Sequence, residues 1–188
     1  MKAALIVLGV LVLVALVVFG GLMSSKNQLT TEREAIHGAF AQVDVVMQRR
    51  ADLIPNLVET VKGFATHEEK VVNDVASARA AMMGAKTPQE KIQANSQIDS
   101  ALGRLFVVVE NYPNIKADEN FLRLQDELSR SENRIAVERR KYNEVVQKYN
   151  TDIALFPNNI AAGMFGFARE DAYFKADEGA KEVPKVKF

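Results

Sequence analysis

Residues able to do metal, acid–base or nucleophilic chemistry are few in this chain: two histidines, no cysteine and carboxylates scattered among matching bases. Glu34-Ala35-Ile36-His37 has the Glu-x-x-His spacing by which di-iron helical bundles hold metal. Such a centre needs a second copy and two further inward carboxylates, and the sequence holds no second copy. His67 lacks the H-E-x-x-H arrangement of zinc proteases because position 71 is Val71. His37 therefore reads as a surface residue and His67 as a helix-start residue. Neither a phosphate loop ending in Gly-Lys-Ser/Thr nor a nucleophile elbow occurs. Absence of cysteine removes thiolate catalysis, disulfides, CxxC zinc sites and a lipid-modified cysteine. The expectation is a non-catalytic protein with no cofactor and no metal.

The most specific polar group is Arg49-Arg50-Ala51-Asp52 followed by Pro55. Arg50 falls on a seam of Ile36, Phe40, Val43, Met47, Ile54, Leu57, Val61 and Phe64, spaced alternately by four and three as in a heptad stripe. An isolated charge buried on such a seam costs several kcal/mol, so the arginine must be paired. If this helix starts near Gln28 and the last long helix ends near Leu155, antiparallel pairing sets Arg50 opposite Glu132 and Asn133. Arg50, Glu132 and Asn133 are thus expected to form a polar pin that fixes register, which interior polar groups commonly do. The competing reading makes Arg49, Arg50 and Asp52 the lining of a ligand pocket for an anion, opened by a kink at Pro55. The pin is favoured. The basic cluster Arg139-Arg140-Lys141, flanked by Glu138 and Glu144, reads as a solvated face.

A second group is apolar. Phe156, Ile160, Met164, Phe165 and Phe167, with Tyr173 and Phe174 beyond them, give the segment 156–174 more apolar weight than a surface loop carries. It serves either as a cap over the open end of a bundle, the favoured reading, or as a contact with the membrane interface or a membrane-protein partner.

The elements that position these groups are helical. From Ala3 to Leu22 no residue is charged, which matches the roughly 20 apolar residues needed to cross a hydrocarbon core about 30 Å thick. A cleaved secretory signal has a shorter apolar region of about 7 to 15 residues, so a retained anchor over residues 1–25 is expected. Bases flank the run on both sides, Lys2 before it and Lys26 and Arg33 after it, and orientation leans only slightly to an extracytoplasmic domain. Lys plus Arg and Asp plus Glu number 24 each, so no net field is present to hold nucleic acid.

Beyond the anchor, a reversal is expected around Gly63 to Thr66, and Thr66-His67-Glu68-Glu69 has capping-box spacing before Val71, Val72, Val75, Ala78 and Met82. Gly84 closes that helix, and Thr87-Pro88-Gln89-Glu90 opens a third that carries Ile92, Ile98, Leu102, Leu105, Val108 and Val109 until Tyr112-Pro113-Asn114. Asp118 caps the last long helix, about Glu119 to Leu155, with Phe121, Leu124, Leu128, Ile135, Tyr142, Val145, Tyr149 and Ile153 on its apolar face. No segment reads as a strand. One unbroken helix from Asn27 to Gly84 would run about 85 Å with nothing alongside its far half, so the helices are expected to alternate up and down. The predicted architecture is all-α: an N-terminal transmembrane helix followed by an antiparallel up-and-down four-helix bundle over residues 26–175, then a polar tail over 176–188.

These residues also carry a resemblance. Gln48 through Val58, His67-Glu68, Tyr112 through Ala117, Asn120-Phe121, Glu132-Asn133, Tyr142-Asn143, Tyr149-Asn150 and Phe156-Pro157 occur in the order found in the bacterial LemA family, which this chain resembles over nearly its whole length. Lys26-Asn27 and Phe40 depart from that pattern, where a Tyr-Asn and a tryptophan are common. The resemblance implies a membrane-anchored helical bundle and no particular reaction; related proteins occur in magnetosome formation and beside membrane proteases or other membrane partners. The function expected is a single-pass protein of the bacterial cytoplasmic membrane acting as an envelope interaction or scaffold module. It would meet the lipid bilayer through residues 3–22, have a membrane-protein partner and bind no nucleic acid. The alternative is a small-ligand-sensing or membrane-shaping bundle.

Overall fold

The apolar run and the seam that follows it belong to one helix. The computed structural model describes residues 2–64 and 68–175. Helix α1 extends from Lys2 to Lys62 without interruption. A separate start near Gln28 is therefore corrected: between Leu22 and Gln28 there is no proline to remove a backbone donor, and Gly20-Gly21 lowers helix propensity without stopping the helix. The helix also continues through Pro55. It ends where Gly63 N donates to Glu59 O at 3.2 Å and Phe64 N to Val61 O at 3.1 Å. Phe64, expected on the seam, is exposed because it lies past the helix end, where helical spacing no longer aims it inward.

The remaining elements are α2 (Glu69–Gly84), α3 (Pro88–Val109), α4 (Pro113–Lys116), α5 (Glu119–Asp152) and α6 (Asn158–Phe165), and no strand occurs among the described residues. Thr66 and His67, read as a cap, lie outside the described residues, as does the tail 176–188. The cap at α3 forms a full reciprocal box: Glu90 N donates to the Thr87 hydroxyl at 3.2 Å, and Thr87 N donates back to the Glu90 carboxylate at 3.1 Å. Helix α3 ends just before Tyr112-Pro113-Asn114, and that tripeptide also opens the single turn α4, since proline suits a first helical turn that needs no donor. The Asp118 carboxylate accepts from Phe121 N at 2.9 Å and so caps α5.

The chain divides into two compact units, to both of which α1 and α5 contribute. In the unit formed by residues 40–141 with 174 and 175, α2 packs on α3. Its core joins Val43, Met47, Ile54, Leu57 and Val61 of α1 with Val72, Val75 and Met82 of α2, Ile98, Leu102 and Leu105 of α3, and Phe121, Leu128 and Ile135 of α5. Phe121 meets Phe106 edge to face, ring centres 6.4 Å apart.

The other unit comprises residues 1–39 and 142–173. Leu29, Ile36, Tyr142, Val146, Tyr149, Ile153, Ala161, Ala162 and Ala172 are buried there. Val146, rather than the expected Val145, takes the buried position on α5. The large apolar side chains from Leu5 to Phe19 are all exposed, while Leu22 and Met23 are half-buried and Ser25 is buried.

Candidate functional site

Arg50 is 6% exposed on the inner side of α1, and one of its terminal nitrogens, Nη1, reaches two carboxylates. It donates to Asp99 of α3 and, at 2.6 Å, to Glu132 of α5. Asn95, fully buried one turn before Asp99, donates its amide to the second oxygen of Asp99 at 2.9 Å. Arg139 approaches that same oxygen at 3.6 Å and lays its guanidinium 5.2 Å from the centre of the Phe174 ring. Phe174 in turn stacks on Phe40 with ring centres 6.5 Å apart. Two cations thus face two anions around Asp99, and the local charge balances. The Nε atoms of Arg50 and Arg139 and the Oδ1 of Asn95 are buried with no hydrogen-bond partner in the structure. Three helices of this unit, α1, α3 and α5, meet at this cluster.

Asn133, read as a second partner for Arg50, is exposed, and Asp99 holds the place given to it. Antiparallel register alone points both 132 and 133 at Arg50, but a helix shows only one of two consecutive residues to a given neighbour. Asp99 and Arg139 were missed. The signal for Asp99 is the pair Asn95 and Asp99, polar residues four apart beside the apolar positions Ile98 and Leu102. Arg139, read as part of a solvated face, has a side chain only 23% exposed, whereas Arg140 and Lys141 are exposed.

Arg49 and Asp52 turn elsewhere. Arg49 pairs with Glu127 at 3.3 Å with over half its side chain in solvent, and Asp52 accepts from Gln48 at 2.9 Å. A polar cleft of about 470 Å³ lies between α2 and α3, lined by Asp74, Ser77, Gln93, Gln97, Ser100 and Arg104 among others, and Arg49, Arg50 and Asp52 are not in its wall. Glu34 and His37 are both exposed on α1, and His67 lies outside the described residues.

In the unit of residues 1–39 and 142–173, the segment after α5 is stitched back onto it. Asn150, 4% exposed, donates its amide to Glu170 O at 2.7 Å and to the Tyr173 hydroxyl at 2.9 Å, while its oxygen accepts from Glu170 N at 2.9 Å. The Tyr149 hydroxyl donates to Ala168 O at 2.9 Å. Burial pushes the Tyr142 phenol up to about 12, and burial likewise raises that of Tyr149. Across the two long helices, Lys148 bonds to Glu32 and, at 2.6 Å, to Asp152. These bonds raise the ammonium of Lys148 and hold the Asp152 carboxyl below its ordinary range.

Helix α6 ends at Gly166, whose φ of 72° is the left-handed conformation a side chain disfavours, and Phe167 N closes the turn onto Ala162 O at 3.0 Å. That reversal delivers Phe165 and Phe167 to the side of α1: the Lys26 ammonium stands 5.0 Å from the centre of the first ring and the Arg33 guanidinium 5.2 Å from that of the second. Both rings are half-buried, whereas Phe156, Ile160 and Met164 are 79%, 48% and 63% exposed.

A buried arginine cluster among three helices, a helix with a long apolar N-terminal run and an aromatic segment folded back on the last long helix define an all-helical protein. A model of the LemA family matches residues 39–188, and the chain belongs to that family. It is similar to two magnetosome proteins of Paramagnetospirillum magneticum, MamQ 2 and MamQ 1, each 29% identical over 209 residues that cover 97% of this chain and 75% of theirs. It is also similar to Protein LemA of Metamycoplasma hominis, 25% identical over 162 residues, covering 86% of this chain and 72% of the relative.

Proposed function

We propose that this chain is a non-catalytic, single-pass protein of the bacterial cytoplasmic membrane, whose helices form an antiparallel up-and-down bundle and serve as an envelope interaction or scaffold module. The observation that carries the reading is the continuity of α1. The most apolar stretch of that helix has a mean hydropathy of 3.1 and is wholly uncovered, and the same helix supplies the buried seam ending at Val61. A run of about 20 residues at 1.5 Å each matches a hydrocarbon core of about 30 Å. Membership in the LemA family and the likeness to the magnetosome proteins support membrane association. The best-formed polar cluster supports the non-catalytic part: its charges satisfy one another, as register-fixing groups do, instead of converging on open space. The slight excess of extracytoplasmic over cytoplasmic facing stays with the flanking bases Lys2, Lys26 and Arg33.

The test has two parts. Full-length protein in native membranes should resist alkaline carbonate extraction, and photo-crosslinkers at the exposed Val45 and Val107 should give discrete adducts with a membrane protein, identified by mass spectrometry. Release into the carbonate supernatant, or an absence of adducts from both positions, overturns the reading. Protease digestion of intact spheroplasts fixes the facing.

A further inference from the structure

The exposed apolar side chains of the α6 segment lie where the apolar run of α1 ends. Lys148 beside Glu32 and Asp152 beside Gln28 set the antiparallel register in this unit. Carried one further turn, through the hydrogen-bonded residues 153–155, that register sets Phe156 level with Ser24. At 1.5 Å per residue this is about 3 Å along the axis of α1 from Leu22. The headgroup layer on each side of a bilayer is about 5–8 Å deep, the difference between its total and hydrocarbon thickness shared by two faces. The covered part of the unit starts at the same level, because Leu22 and Met23 are half-buried and Ser25 is buried, and α1 remains helical through this stretch. No spacer separates the apolar run from the folded unit.

Helix α6 lies at this level with two unlike faces. Ala161 and Ala162 are buried against the unit, and Lys26, only four residues past Leu22, reaches Phe165 at its far end. Ile160 and Met164, one turn apart, share the opposite face and are exposed together with Leu155 and Phe156 just before the helix. Small residues inward and large apolar ones outward invert the pattern of a surface helix in water. They suit a helix lying in the plane of a membrane surface, whose apolar face sinks about 5–10 Å into the headgroup and acyl boundary.

We infer that α6 is an interfacial helix that seats the base of this unit in the same bilayer that α1 crosses, with Phe156, Ile160 and Met164 entering the lipid. The inference rests on the reading of α1 as a membrane span. The occupant is lipid rather than a second protein because the patch is continuous in level with the exposed run of α1, and any bilayer around that run reaches it. Contact is apolar: the nearby Lys26 and Arg33 are engaged with aromatic rings, so binding should not depend on anionic lipid.

The chain contains no tryptophan, so a single introduced one reports its own surroundings. Phe156→Trp and Met164→Trp are placed separately in the full-length protein and reconstituted into zwitterionic phosphatidylcholine vesicles whose acyl chains carry bromine near the headgroup or near the bilayer centre. Val12→Trp marks the span, and His37→Trp, exposed on α1 about 22 Å past Leu22, marks the solvent. At least a two-fold loss of fluorescence is expected for Phe156→Trp and Met164→Trp with shallow bromine and less with deep bromine, while His37→Trp is unaffected and Val12→Trp responds most to deep bromine. Quenching of Val12→Trp without quenching at 156 and 164 overturns the interfacial helix and leaves the anchor standing. Failure at Val12→Trp overturns both. A blue-shifted, unquenched emission at 156 and 164 that needs native membrane extract assigns the patch to a protein and also overturns the inference.

Discussion

Replacing Arg50 by methionine isolates what the clamp does. Methionine keeps an unbranched apolar stem in place of the arginine's, so the loss falls mainly on the charge and its hydrogen bonds. Removing one partner of a fully buried ion pair costs about 3–5 kcal/mol, because the other charge is stranded, whereas a surface pair is worth about 0–1 kcal/mol. Arg50 stands between these limits: its side chain is 7% exposed, but those of Asp99 and Glu132 are 24% and 42% exposed. Water can therefore rescue Glu132 more than Asp99, and Arg139 at 3.6 Å still faces Asp99. The expected cost is about 3 kcal/mol, counting Asp99 as mostly buried and Glu132 as mostly exposed. In a protein of this size each kcal/mol moves the melting temperature by about 2–4 °C, so Arg50→Met should melt about 6–12 °C lower. The assay is thermal melting followed by far-ultraviolet circular dichroism on full-length protein in detergent micelles. Adding Asp99→Asn and Glu132→Gln to Arg50→Met removes the stranded charges and should recover at least half of the loss. A single variant melting within 1 °C of the parent, or a triple variant melting lower than the single, refutes the account of Arg50 as a register-fixing clamp.

Asn150→Leu should cost about 2 kcal/mol, since it strands the partly buried N–H and C=O of Glu170; hydrogen exchange at residues 168–172 should then rise at least ten-fold, and unchanged exchange would remove Asn150 as the stitch. The Tyr142 phenol, raised from 10.0 to about 12, should stay un-ionised until near pH 12, seen as a late component of the 295 nm titration that disappears in Tyr142→Phe. A raised acid favours the folded state below its ordinary value, so this contribution is complete below about pH 10 and fades as pH climbs toward 12. Asp152 has the opposite sign: its carboxyl is lowered from 3.8 by Lys148, so its contribution is present above that value and is lost as pH falls through the depressed one. The acid limb of the stability curve should accordingly flatten in Asp152→Asn, and an unaltered limb would place the acid sensitivity elsewhere.

Much of this protein is written locally. Thr87-Pro88-Gln89-Glu90 starts α3 because both halves of its capping box lie within four residues. The uncharged run from Ala3 to Leu22 and the seam from Ile36 to Val61 are patterns any single helix must express, and the need to pair Arg50 follows from its position on that seam alone. Tertiary structure decided the partners. Which carboxylate answers Arg50 depends on how α3 is rotated beside α1, and the rotation that buries Ile98 and Leu102 brings Asn95 and Asp99 with them, while α5 presents Glu132 and leaves Asn133 outside. Likewise the fate of Phe165, half-covered beneath Lys26, and of Phe156, left open, turns on the reversal at Gly166 and on Asn150 binding Glu170 twenty residues away. Helix limits depend on neighbours along the chain, which a sequence displays; rotation and contact between helices depend on the summed packing of side chains far apart in it, and that exists only in the folded molecule.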